Sequence, residues 1–206
     1  MTTMPHRQDV FTAAQVYHVY NRGINREPIF VKSDNYVYLL SKVKSLIVEL
    51  PVTVLAYCLM PNHYHFVLHQ DGDLSISVFI QRLFLTYSQA FNKQQGRRGP
   101  LFESRFRHVH VDRDEYLLHL CRYVHLNPVA AGLVQSPEDW PYSNYLEWIE
   151  ERPGTLVDRG LVRQFFPKPA DYIAFVQRQI APDMAQQLGS YLLDSDLPES
   201  SSRSGR

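Results

Sequence analysis

The stretch "VTVLAYCLMPNHYHFVLH", Val52 to His69, decides how this chain is read. Its first half is β-branched and aromatic, Pro61-Asn62 is turn chemistry, and "HYHFVLH" alternates, so the spacing predicts two strands joined as a hairpin. On a strand, residues i and i+2 point to the same side, about 7 Å apart at Cβ. His63 and His65 therefore share one face, continued by Val67 and His69, while Tyr64, Phe66 and Leu68 share the other. Two imidazoles on one face make half of a metal site. Taken alone, the pair reads more often as polar residues on the wet face of an antiparallel sheet.

Upstream, "QVYHVYNRG" sets Val16, His18 and Tyr20 against Tyr17, Val19 and Asn21 and closes on Gly23, the period of a strand ended by a turn. "SDNYVYLLSKVKSLIVEL" repeats apolar residues at Val37, Leu40, Val43, Ile47 and Leu50, with Ser33 or Asp34 as N-cap and Pro51 as the stop, which predicts a helix. Downstream, Ile76, Phe79, Ile80, Leu83, Leu85 and Phe91 give a second helical stripe, ended by "GRRG". "FRHVHV" is a short fourth strand, and Asp112 or Asp114 caps a third helix, "EYLLHLCRYVHL". Asn127-Pro128 is expected to interrupt that helix, because a residue before proline is pushed out of the αR region, and to start a short helix "PVAAGL".

The order β α β β α β α predicts an α+β fold: a ferredoxin-like split βαβ antiparallel sheet with helices packed on one face and a further C-terminal helix. The chain has 206 residues, 45% of them apolar, enough for one ordinary core. Residues 1–150 are expected to form the working domain, and 151–206 a helical extension ending in a flexible Ser-rich tail. No long uncharged apolar run and no signal-like leader are present, so the expected location is cytoplasmic, with no membrane contact. Cys58 and Cys121 sit in apolar runs and read as packed, reduced thiols.

Net charge is zero, with 21 basic and 21 acidic residues, which argues against a nucleic-acid binder that relies on overall charge. The distribution is uneven. Between Arg82 and Arg107 stand six basic residues against the single acid Glu103, so one segment is basic within a neutral protein.

"CRYVHLNPVAAGL" gives the histidine pair company. Tyr123 and Asn127 are four residues apart, on one helix face, so a phenol and an amide oxygen can be offered to one site. An amide oxygen is a hard ligand suited to Mg²⁺ or Mn²⁺, and two histidines with one asparagine leave positions open for phosphate oxygens and water. Tyr116 and Tyr87 also fall on helices, but the residues four positions on are Leu120 and Phe91, which bind no ion. His119 lies four before Tyr123 and shares its face, making it the candidate proton relay; His125 is two away and points elsewhere.

Together "HVYNRG", "LMPNHYHFVL", "GRRGPLFESRFR" and "RYVHLNPVAAGLV" resemble the REP-associated tyrosine transposases, relatives of the single-tyrosine insertion-sequence enzymes within the HUH nucleases. The resemblance runs from about Tyr17 to about Tyr145. It implies His63, His65 and Asn127 as metal ligands for Mg²⁺ or Mn²⁺ and Tyr123 as the nucleophile. It implies attack on single-stranded DNA at a hairpin-forming palindromic repeat, leaving a 5′-phosphotyrosine and a free 3′-hydroxyl that a later 3′-hydroxyl can reverse. The protein would act as a monomer or homodimer. Arg22, Arg26, Arg97, Arg98, Arg105 and Arg107 are the candidate contacts to the DNA backbone. Ala130 departs from the pattern, standing where relatives often carry a basic residue. Two other readings use the same residues: a non-catalytic hairpin-binding protein derived from such an enzyme, and a metallohydrolase in which the histidines activate water.

Overall fold

The four strands β1 (Val16–Arg22), β2 (Val52–Met60), β3 (His63–Gln70) and β4 (Arg107–Val111) form one antiparallel sheet in the order β2-β3-β1-β4. This is the split βαβ topology expected from the element order. The structure is a computed structural model and describes residues 11–74, 76–156 and 158–178; the expected Ser-rich tail lies outside them. No described helix is long and apolar enough to cross a membrane.

Helices α1 (Ser33–Glu49) and α2 (Ile76–Gln95) cover one face of the sheet. Their core with Tyr17, Val19, Tyr64, Phe66 and Leu68 is apolar and aromatic. The opposite face is covered by α3 (Asp114–Ala130) and, after the short helix α4 (Tyr145–Trp148), by α5 (Arg159–Phe165) and α6 (Pro169–Gln177). α3 thus covers the strand residues His63 and His65, so these histidines are not on a wet surface.

β2 reaches both cores through a bulge. Register shifts between Val54 and Ala56, so Val52, Val54, Tyr57 and Leu59 all face α1 and α2, while Leu55, Ala56, Cys58 and Met60 face α3. The bulge aims the Leu55 carbonyl outward, where it accepts from Asn144 Nδ2 and Trp148 Nε1, both at 3.0 Å. The α3 side is thereby fastened to the sheet.

Several local expectations differ; the N-cap of α3, for one, is Arg113 and neither Asp112 nor Asp114. In α1, Val37 is 61% exposed and the buried stripe is Asn35, Tyr36, Leu39 and Val43, because the aromatic Tyr36 wins the inward phase and stacks on Phe30 at 4.3 Å. The helix also begins one residue earlier than expected, with Lys32 as N-cap and Asn35 Oδ1 accepting from the Val31 and Lys32 amides. In α2, Leu85 is 59% exposed; Phe84 and Tyr87 hold the core positions instead. Pro128 does not interrupt α3. At position 128 only the amide that would have bonded Val124 is lost, and the helix continues to Ala130. It ends there because Gly132, at φ +68°, bonds back to Val129 while Leu133 bonds to Pro128, a left-handed terminus that suits glycine.

Candidate active site

β3 presents His63 and His65, and α3 lays Tyr123 and Asn127 over them. His63 is 7% exposed, His65 fully buried, Asn127 4% exposed, and Tyr123 half-buried. The continuation of α3 past Pro128 matters here, since it keeps Asn127 one helical turn above Tyr123. Asn127 Nδ2 donates to the Tyr123 hydroxyl at 2.9 Å. That assigns Oδ1 to the other side, where it lies 3.2 Å from His63 Nε2. The His65 ring meets the edges of both neighbours, 5.1 Å from His63 and 5.6 Å from Tyr123 between centroids. All four expected groups are in one place.

Two further residues, not singled out by the sequence, orient the imidazoles. Asn62 Nδ2 donates to the Arg26 carbonyl, so its Oδ1 faces His63 Nδ1 at 2.7 Å and accepts that proton. His63 Nε2 then carries a lone pair toward the Asn127 oxygen. Behind His65, His18 Nε2 lies 3.0 Å from His65 Nδ1. Burial, then the neighbouring His63 and His18, hold the His65 pKa well below the ordinary imidazole value, so its ring stays neutral. A neutral imidazole is the form that binds a metal.

The donor chemistry fits a divalent cation. Two acceptors, His63 Nε2 and Asn127 Oδ1, confront each other at 3.2 Å with no proton assigned between them. Two donors to one octahedral ion sit roughly 3 Å apart. Among the described residues no three His, Cys, Asp or Glu side chains gather to hold an ion; the further oxygen beside the pair is the Asn127 amide.

His125, on the same helix, faces away into the C-terminal extension. Asn144 Nδ2 donates to Leu55, so its Oδ1 accepts from His125 Nε2 at 2.9 Å, and His125 Nδ1 accepts from the Tyr172 hydroxyl at 2.6 Å. Burial pulls the His125 pKa down to about 4, partly opposed by the Asn144 bond. His119 packs its ring 5.0 Å from Phe175 of α6, and its pKa is lowered by burial and then by Arg122.

Two of the six arginines lie beside the histidine pair in the sheet: Arg22 is the cross-strand neighbour of His63, and Arg107 is opposite Tyr20, the cross-strand neighbour of His65. Arg22 pairs with Glu103 at 3.1 Å and Arg97 with Glu27 at 3.5 Å, partly exposed contacts of the kind worth up to about 1 kcal/mol. Arg26, Arg98, Arg105 and Arg107 are exposed. Arg105 also lines a groove of about 610 Å³ with Asn21, Tyr64, Phe84 and Phe102, on the sheet face opposite His63 and His65. Gly23, at the end of β1, holds this end of the molecule together: a Cβ there would meet the Glu27 carbonyl at 2.2 Å. Its amide donates to Asn62 of the β2–β3 turn.

Comparison with known proteins places these features. The sequence profile of the family described as "Transposase IS200 like" matches residues 12–127, which hold β1 to β4, the histidine pair, Tyr123 and Asn127. A curated Haemophilus influenzae protein, provisionally named as a REP-associated tyrosine transposase, is 26% identical over 105 residues, covering 46% of this chain and 60% of that protein's length. A solved structure of a REP-associated tyrosine transposase bound to a REP hairpin superposes with a TM-score of 0.58 at 18% identity, over 75% of this chain and 94% of the other. That likeness establishes the fold.

Proposed function

The chain belongs to the IS200-like transposase family, and from that premise we propose that it cuts and rejoins single-stranded DNA beside hairpin-forming palindromic repeats through a phosphotyrosine at Tyr123. The observation that carries this reading is the row of contacts from the Tyr123 hydroxyl through the Asn127 amide to His63, with His65 alongside.

Mg²⁺ or Mn²⁺ held by His63, His65 and Asn127 would draw charge from a phosphodiester oxygen and so stabilise the transition state. Asn127 has two tasks. Its oxygen serves the ion and its amide nitrogen fixes the Tyr123 hydroxyl, so nucleophile and ligand move together. The Tyr123 oxygen forms a bond to phosphorus as the bond to the 3′-side oxygen breaks. The phenol proton passes to a base, for which His119, one turn earlier and kept neutral by burial, is the candidate. The departing oxygen takes up a proton and becomes the free 3′-hydroxyl. One phosphodiester is exchanged for another, so a second 3′-hydroxyl can reverse the step without an outside energy source.

The DNA backbone would run along Arg22, Arg26, Arg97, Arg98, Arg105 and Arg107, which position the strand without specifying it. The groove beside Arg105, with Phe84, Phe102 and Tyr64, suits an unstacked base. The substrate, a hairpin-bearing single strand, is proposed from what the similar proteins are named for.

The test is a denaturing gel. Protein incubated with Mn²⁺ or Mg²⁺ and a single-stranded hairpin oligonucleotide is expected to yield a covalent protein–DNA band that Tyr123→Phe removes. Cleaved DNA with no attached protein would assign the attack to water instead. Hairpin binding without cleavage under any metal condition would assign the chain to binding alone.

A further inference from the structure

We propose that His18 is the positioning residue of the metal site: it fixes the tautomer and direction of the His65 ring so that Nε2 faces the ion. This rests on the metal-site reading above.

The placement follows from strand register. β1 pairs with β3 so that Tyr20 is opposite His65 and His18 opposite Val67, which makes His18 the diagonal neighbour of His65 on the same sheet face. Both rings are fully buried, lie nearly parallel at 19° with centroids 5.2 Å apart, and join through Nε2 of His18 and Nδ1 of His65 at 3.0 Å. In the proposed arrangement His65 donates from Nδ1, and His18 accepts at Nε2 and carries its own proton on Nδ1. The remaining His65 nitrogen, Nε2, is left as a lone pair toward the site.

His63 is arranged by the same logic with a different partner. Its Nδ1 is held by Asn62, leaving Nε2 for the ion. In this arrangement each histidine of the pair has an acceptor behind it, Asn62 from the β2–β3 turn and His18 from β1. A histidine ligand without such a partner loses both its tautomer preference and its aim, typically at a cost of about 10- to 100-fold in metal affinity. A second imidazole buried behind a ligand is also costly to keep unless it is used, since an aliphatic side chain would fill that space with no polar atoms to satisfy.

The experiment measures Mn²⁺ binding directly, by calorimetry or electron paramagnetic resonance, on the full chain carrying Tyr123→Phe so that no DNA reaction intervenes. His18→Phe fills the space but cannot accept a hydrogen bond; His18→Gln keeps an acceptor. His18→Phe is expected to weaken Mn²⁺ binding about 10- to 100-fold, with His18→Gln closer to the parent and the metal-free melting temperature of each recorded alongside. Equal Mn²⁺ affinity in parent and His18→Phe overturns the proposal. So does equal weakening in both variants accompanied by the same drop in metal-free melting temperature, which would make His18 a packing residue. His63→Ala is the control: if it too leaves Mn²⁺ binding unchanged, the metal site itself is wrong; if it abolishes binding while His18→Phe does not, only the role of His18 fails.

Discussion

The two faces of one sheet bury opposite kinds of side chain. Beneath α1 and α2 lie Val19, Leu39, Val43, Phe66, Leu68 and Phe79, a core whose worth is the area it removes from water. Beneath α3 lie His18, His63, His65, His125, Asn127 and Asn144 among the apolar residues, all 7% exposed or less. A buried polar group costs about 1–3 kcal/mol when its partner is missing, so these side chains persist only as a connected set. Asn144 shows how tight the set is: its two amide atoms serve the β2 backbone and His125 together. The apolar face supplies stability, and the polar face converts part of it into fixed orientations around Tyr123.

The largest expected effect separates the faces by function. His63→Ala or His65→Ala should lower DNA cleavage by at least about 10³-fold, the several kcal/mol that a metal lends to a phosphoryl transition state, while hairpin binding measured by mobility shift stays near that of the parent. Equal loss of binding would mean that the histidines build the face and do not serve a reaction. The reverse experiment falls on the other side. Leu39→Ala, in a fully buried α1 position, should cost roughly 2–5 kcal/mol in urea denaturation yet leave the cleavage rate per folded molecule unchanged. A change in that rate would show that the faces are coupled.

Acid sharpens the contrast. His125 titrates at about 4 in the folded chain and near the usual ~6.5 when unfolded. Above about pH 6.5 it is neutral in both states and makes no difference. As pH falls from there toward 4 the unfolded state binds the extra proton and stability is lost, by up to roughly 3 kcal/mol. His125→Gln should flatten the pH dependence of the melting temperature in that window; an unchanged slope would place the loss in other groups. The smallest effect belongs to the proton relay. His119→Ala should slow cleavage by about 10²-fold, the low end for general-base contributions, and added imidazole should restore part of the rate; no change would free His119 from that role.

What the sequence disclosed depended on whether the pattern was local. The period of two fixed the His63 and His65 face, and four-residue helical spacing fixed Tyr123 with Asn127, because both are properties of a single element. His18 showed its face but not its partner, since the His65 contact exists only through β1–β3 register. The Leu55 bulge was hidden in β2 because a strand buried on both faces carries no alternation to break. The rule about residues before proline misled at Asn127 because the preference is weaker than the packing of α3 on the sheet. In α1 the apolar residues fit two adjacent helical phases, and only the stacking of Tyr36 against Phe30 and Tyr142 chose between them.

The central claim is that one phenol, held by the ligand asparagine, is the nucleophile. It is tested by digesting the protein–DNA adduct and locating the nucleotide by mass spectrometry. A phosphodiester on the Tyr123 oxygen is the predicted result. Cleaved DNA with the nucleotide on another residue, or on none, would contradict it.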